Sequence, residues 1–189
     1  PALMIGLLNG ITLEEGIRAL KSFRLPPGRM SIIEGLHGST LLDSSYNASP
    51  ETMKKALQLL KEFPAKRRIA VIGNMNELGE STFAAHREVA HEIGSGSWLD
   101  ELITVGVNAG LIADECLKNG YPKHKIKSLL TSAEAAEHLQ SKQQKGTVIL
   151  FKGSQNAVRL ERTIEALMAH PKDAKKLLCR QEPEWKNIN

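Results

Sequence analysis

Three apolar runs, RIAVIG (68–73), LITVG (102–106) and TVILF (147–151), lack strict alternation. That pattern belongs to strands covered on both faces of a sheet. Between and after them apolar positions recur at helical spacing. The chain therefore reads as strands near 68–73, 101–106, 126–130 and 147–152, with helices near 50–62, 82–94, 108–119, 132–142 and 155–169. Upstream, MSIIEG (30–35) and STLLD (39–43) flank His37-Gly38 and predict a β-hairpin. Regular alternation of strand and helix predicts an α/β fold, a doubly wound, mostly parallel sheet with helices on both faces.

The two ends follow other patterns. Ala2 to Leu20 reads as a helix, a turn at Asn9-Gly10 and a second helix, with Thr12 as N-cap and Glu15 completing a capping box. Leu25-Pro26-Pro27-Gly28 cannot continue a helix and marks a hinge. Leu3, Ile5, Leu7, Leu8, Ile17 and Leu20 form apolar faces that so short a piece cannot bury by itself. Residues 1–27 are thus expected to be a short helical remnant of an upstream domain plus the hinge, and 28–170 the main domain. Residues 171–189 form a charged tail with an amphipathic turn around Leu177 and Leu178 and one tryptophan, Trp185. This tail either packs back or frays.

Composition narrows the class. At 189 residues the chain suits one well-packed domain with a small appendage. It is 41% hydrophobic and 24% charged, and no apolar run approaches the ~20 residues of a membrane helix. The N-terminus lacks a basic leader and a cleavage site, so no export signal is read. Cys116 and Cys179 form no CxxC pair, which argues against a disulfide framework or zinc site and favours the cytoplasm. The net charge of +4 is spread along the chain and aromatics are only 4%, leaving no stacking platform for nucleic acid. A mild positive field suits phosphate-bearing small molecules, and a monomer without nucleic-acid or membrane partners is expected.

The candidate chemistry sits at three seams: LLDSSYNASPETM (41–53), VIGNMNELGE (71–80) and ILFKGSQNAVRLE (149–161). Each runs from apolar strand through a polar turn into a helix. In open α/β sheets ligands lie beyond the carboxyl ends of strands, so the three turns are expected to face one cleft. Asp43 has the chemistry to orient a ribose hydroxyl, a metal-bound water or an attacking amine, and Ser45, Tyr46 and Asn47 to line a nucleotide. Their plainer reading is local turn chemistry, and Ser49-Pro50 reads as an N-cap with proline at N1. Lys152, Gly153, Ser154 and Gln155 end the last strand and open the last helix, where amides and a lysine suit a carboxylate; the plainer reading is a helix N-terminus with an exposed lysine. His86, alone on its helix, reads as a structural group. No GxGxxG follows any strand, GVNAG (106–110) lacks the third glycine, and KGS (152–154) is no phosphate loop.

Taken together, PGRM (27–30), DSSYNASP (43–50), GNMNELGE (73–80) with His86, and FKGSQ (151–155) resemble the Mur ligases in order and spacing. The resemblance is closest to the branch that adds D-alanyl-D-alanine to a UDP-muramoyl tripeptide in peptidoglycan precursor synthesis. It implies a Rossmann-like C-terminal domain that closes over a central ATPase domain. ATP and Mg2+ would be bound mainly by that central domain, and an acyl phosphate would be attacked by the incoming amine. It further implies that Arg29 reaches the nucleotide phosphates, that Arg29, Asp43, Ser45, Tyr46 and Asn47 bind nucleotide with Asp43 catalytic, and that Asn74, Glu77, Lys152, Gly153, Ser154 and Gln155 meet the substrate. The sequence holds no GxxGKT loop, so these residues alone are not expected to turn over. It departs from the family pattern at Ser44 and Asn74, where the family has acids, at Ser49, where it has asparagine, and at Gln155, where it has arginine. Those departures keep two alternatives open: another amide ligase of the superfamily, of the folylpolyglutamate or cyanophycin synthetase type, or a non-catalytic binding module.

Overall fold

The computed structural model describes residues 1–94, 97–156 and 158–186. Six strands form one sheet in the order β1-β2-β6-β3-β4-β5: β1 Ser31–Glu34, β2 Thr40–Ser44, β3 Arg67–Gly73, β4 Glu101–Val105, β5 Ile126–Leu129 and β6 Thr147–Lys152. The β1–β2 hairpin is antiparallel and every other pairing is parallel, as the alternation predicts.

The continuous apolar runs are explained by what covers them. Leu42, Ala70, Ile72, Leu102, Val148 and Leu150 face one side, under α3 (Pro50–Glu62), α4 (Thr82–Ile93) and α5 (Gly110–Lys118). Leu41, Ile69, Val71, Ile103, Ile149 and Phe151 face the other, under α6 (Ser132–Gln140), α7 (Leu160–Leu167) and α8 (Ala174–Leu177). Successive strand residues thus feed two separate cores, so both parities must be apolar.

Helix starts match where capping chemistry is explicit. Ser49 Oγ accepts from the Thr52 N–H at 3.3 Å at the head of α3, with Pro50 in the first turn, so Ser49 is structural, as read. The first two helices are α1 (Ala2–Leu8) and α2 (Leu13–Ser22), the latter with the expected Thr12–Glu15 capping box. Neither buries a single residue, and Met4, Ile5, Leu7, Leu8, Ile17 and Leu20 stand exposed.

One expectation fails and an open one is decided. The last long helix begins at Leu160, not 155, because Asn156 and Arg159 adopt positive φ (72° and 52°), which no helix tolerates. The Lys152–Gln155 turn therefore does not open a helix; the helix start beside it is that of α3, whose N-cap Ser49 lines the same cavity as Lys152. The tail, for its part, packs back: Leu178, Cys179 and Arg180 are buried, and a short helix α9 spans Pro183–Lys186.

Candidate functional site

The strand order makes the three polar turns neighbours. β6 lies between β2 and β3 and runs parallel to both, so the turns after Ser44, Gly73 and Lys152 emerge from one sheet edge. They are tied to one another. The Ser154 N–H donates to Asn74 O (2.8 Å), Ser154 Oγ accepts from the Asn76 N–H (3.0 Å) and donates to Ala48 O (3.2 Å). Close approach at this edge needs glycine, since a Cβ on Gly153 would meet Gly73 Cα at 3.0 Å and Leu160 Cδ1 at 3.2 Å. Gly153→Ala is expected to lower stability by about 1–3 kcal/mol through overpacking, read as a melting point a few degrees lower.

Arg29, Ser44, Tyr46, Asn47 and Lys152, with Gly28, Ala48, Ser49 and Thr52, line an open cavity of about 320 Å³ beyond β2 and β6. Gly28, at φ 74°, is set against the loop: its carbonyl accepts from the Tyr46 N–H at 3.1 Å, and a Cβ there would lie 3.0 Å from Tyr46 Cβ and Cys179 Sγ. The Arg29 guanidinium sits 4.2 Å from the centre of the half-exposed Tyr46 ring.

Lys152 does not project from a helix end into solvent. Its side chain follows the pleat toward Ser44, its partner in the ladder, and the buried ammonium donates to Asn47 O and, at 3.5 Å, to Ser44 O. Burial, and then the neighbouring Arg29, push this ammonium down to about 8. Lys152 thus stands with Arg29, Tyr46 and Asn47 at one cavity, buried and not exposed at a helix end.

Asp43 lies on the opposite pleat and is fully buried. Its Oδ1 accepts from the Ser45 N–H (3.0 Å) and Ser45 Oγ (2.6 Å), while Oδ2 has no hydrogen-bond partner. Burial raises its carboxyl above the usual range despite the Ser45 bonds. Ser45 is itself buried, so the loop presents Tyr46 and Asn47 outward and keeps Asp43 and Ser45 beneath.

At the β3 turn Asn74 Oδ1 accepts from the Ala109 N–H (2.9 Å), bracing the start of α5, and Glu77 is exposed at φ 63°. His86 is fully buried: Nδ1–H donates to Thr82 O (2.7 Å) and Nε2 accepts from the Met75 N–H (3.4 Å), and burial lowers its pKa. It is the satisfied structural group the sequence implied, fixing the β3–α4 turn. Gln155 lines a second, contiguous hollow of about 550 Å³ shared with Arg29, Tyr46, Arg180 and Trp185. Sequence reasoning missed Arg180, which lies in the tail and whose only signal was its nearness to an amphipathic turn. Among the described residues no group of three His, Cys, Asp or Glu side chains is placed to hold a metal ion.

The arrangement offers two cations, an aromatic ring and polar loop side chains at one sheet edge, chemistry suited to a phosphate-bearing, ring-containing ligand. Residues 28–155 match the Mur ligase, glutamate ligase domain. A UDP-N-acetylmuramoyl-tripeptide--D-alanyl-D-alanine ligase of Bacillus subtilis is 28% identical over 171 residues, covering 90% of this chain and 37% of that protein. The Escherichia coli protein of the same name is 31% identical over 166 residues, covering 88% and 35%. Among solved structures, the MurF ligase from Thermotoga maritima in complex with ADP superposes with a TM-score of 0.71 at 31% identity, over 92% of this chain and 37% of that one. The chain thus spans little more than a third of the length of these relatives.

Proposed function

Because the chain belongs to the Mur ligase family, whose glutamate ligase domain its residues 28–155 match, we propose that it supplies the closing half of an ATP-dependent amide ligase. That ligase joins D-alanyl-D-alanine to a UDP-muramoyl tripeptide. The observation that carries this reading is the pairing of Arg29 and Lys152 around one cavity beyond the ends of β2 and β6. In it, Arg29 and Lys152 hold the nucleotide phosphates, and Tyr46 and Asn47 the ring and ribose. A permanently charged fork and a buried ammonium stabilise charge that grows during phosphoryl transfer. Gly153, Ser154 and Gln155, with Asn74 and Glu77 on the adjoining turn, face the incoming dipeptide, whose amine attacks the activated carboxyl.

The domain's contribution is orientation: closing brings donor and acceptor together, an effect that can be worth several kcal/mol. The bare apolar faces of α1 and α2 support assigning residues 1–27 to a neighbouring domain, residues 28–170 to the ligase domain and 171–189 to its tail. Among the described residues no cluster of three His, Cys, Asp or Glu side chains is ready to hold Mg2+, so that ion would depend on groups outside this cavity. Asp43 supports the loop from below by holding Ser45. Asp43→Asn keeps an acceptor for Ser45 and removes a buried carboxylate, so the melting temperature is expected to hold or rise. The sign follows from the raised carboxyl: folding binds a proton that the unfolded chain has lost, so wild-type stability falls as pH climbs above the ordinary carboxylate range. Ligation falling about 100-fold in this variant would instead give Asp43 a direct part in the reaction.

The deciding experiment is an ATP-dependent ligation assay on the full-length protein with UDP-muramoyl tripeptide and D-alanyl-D-alanine, beside a Ser44→Asp variant. Amide formation by the wild type supports the ligase. Ligation confined to Ser44→Asp, or absent from both while ADP still binds, favours the non-catalytic module.

A further inference from the structure

The β2–β6 ladder ends at the Ser44–Lys152 pair, leaving the carbonyls of residues 45–48 without strand partners at a loop partly closed to solvent. Such groups need donors from elsewhere. Side chains supply them in unbroken succession. Lys152 serves Ser44 O and Asn47 O, and Ser154 serves Ala48 O. The two carbonyls between them, Ser45 O (3.1 Å) and Tyr46 O (2.6 Å), both accept from Arg180 Nη2.

Arg180 lies beyond the matched domain, yet it is built into place. It is 7% exposed, adopts φ 56°, and donates through Nη1 to Glu161 Oε2 at 2.9 Å. Glu161, itself buried, is also held by Arg159. A non-glycine residue in the left-handed region persists only where its surroundings fix it. The Arg180 guanidinium also approaches the Tyr46 ring at 5.7 Å, so that ring has two cationic neighbours, Arg29 and Arg180.

Resting on the ligase reading, we propose that Arg180 is a positioning residue for the Tyr46–Asn47 nucleotide loop, which makes the tail part of the functional unit. Arg29 and Lys152 touch the ligand; Arg180 sets the backbone that presents Tyr46 and Asn47 to it. Removing it frees two adjacent carbonyls and lets the turn relax without removing any group that binds phosphate.

The test compares full-length wild type, Arg180→Met and Arg180→Lys by steady-state kinetics for all three substrates, direct ADP binding and thermal melting. Arg180→Met is expected to raise the KM for ATP and the Kd for ADP about 10-fold, leaving the KM for D-alanyl-D-alanine and for the tripeptide within about twofold. Arg180→Lys, which keeps the charge but not the fork, is expected to fall between. A lower melting point with unchanged ATP and ADP affinity would reduce Arg180 to a structural role and overturn the proposal. If Arg180→Met does not fold, unchanged affinity in folded Arg180→Lys overturns it equally. A wild type that binds ADP but ligates nothing sinks the ligase reading alone, because the ADP comparison still decides the loop. A wild type that binds no ADP sinks both.

Discussion

Replacing Lys152 with methionine in the full-length protein is expected to cut ligation by about 100-fold or more while barely moving its melting temperature. Two stability terms oppose each other. Depression of the ammonium from 10.5 to about 8 corresponds to about 3 kcal/mol of cost for holding it protonated in the fold. Methionine, of similar length, removes that cost. Against it, the Ser44 and Asn47 carbonyls lose their donor, at roughly 1–3 kcal/mol each, reduced here because Asn47 is exposed and the Ser44 bond is long at 3.5 Å. The terms nearly cancel, so what is lost is the charge facing the ligand. A fall in melting temperature matching the fall in activity would contradict this assignment.

The same ammonium sets a pH dependence with opposite signs for stability and binding. Between about 8 and 10.5 the unfolded chain keeps a proton that the folded one has released, so stability rises with pH across that window. ADP affinity should fall over the lower part of it, as the cation facing the phosphates is neutralised. Titration calorimetry and melting on either side of pH 8 would show both trends in the wild type and neither in Lys152→Met.

Glu161→Ala is expected to have the largest effect on folding, a loss of about 3–5 kcal/mol. Glu161 is 1% exposed and receives both Arg159 and Arg180, whose side chains are nearly as buried. Removing it takes away the counter-charge shared by two buried guanidinium ions. The loss is far larger than for an exposed pair such as Lys55–Glu51, for which about 0–1 kcal/mol is typical. In a domain of this size it corresponds to a drop of about 10 °C, measurable by calorimetry. Glu161→Gln, which keeps an acceptor, should lose less. A change of under about 1 kcal/mol for Glu161→Ala would mean that both arginines find other partners when the carboxylate is gone.

Much of this was legible in the chain. Apolar runs of both parities announce a sheet buried on two faces, and capping signals place α2 and α3 because the side chains that cap are local to the helix they start. The three seams share one grammar, and the strand order, with β6 between β2 and β3, makes them neighbours, but the cavity is lined from the β2 loop and the end of β6 and by none of residues 71–80. Two things were not legible. Whether Lys152 leans toward one face or the other is set by the pleat and by its register with Ser44, which a run of apolar residues on both sides conceals. Arg180 looks like any charged residue of a polar tail, and what buries it is a carboxylate nineteen positions earlier on the exit from a left-handed turn. Local periodicity carries no trace of such a pairing.

The central place of β6 also has a consequence for synthesis. β2 and β3 never pair with each other; what joins them is β6, the last strand of the sheet to leave the ribosome. Until Thr147–Lys152 emerge, a nascent chain holds one hairpin and one three-stranded piece, each with an open apolar edge prone to pairing elsewhere. The cavity, lined by the β2 loop and by Lys152 at the end of β6, comes into being only when that strand threads the gap, and the arginine that steadies its loop arrives later still.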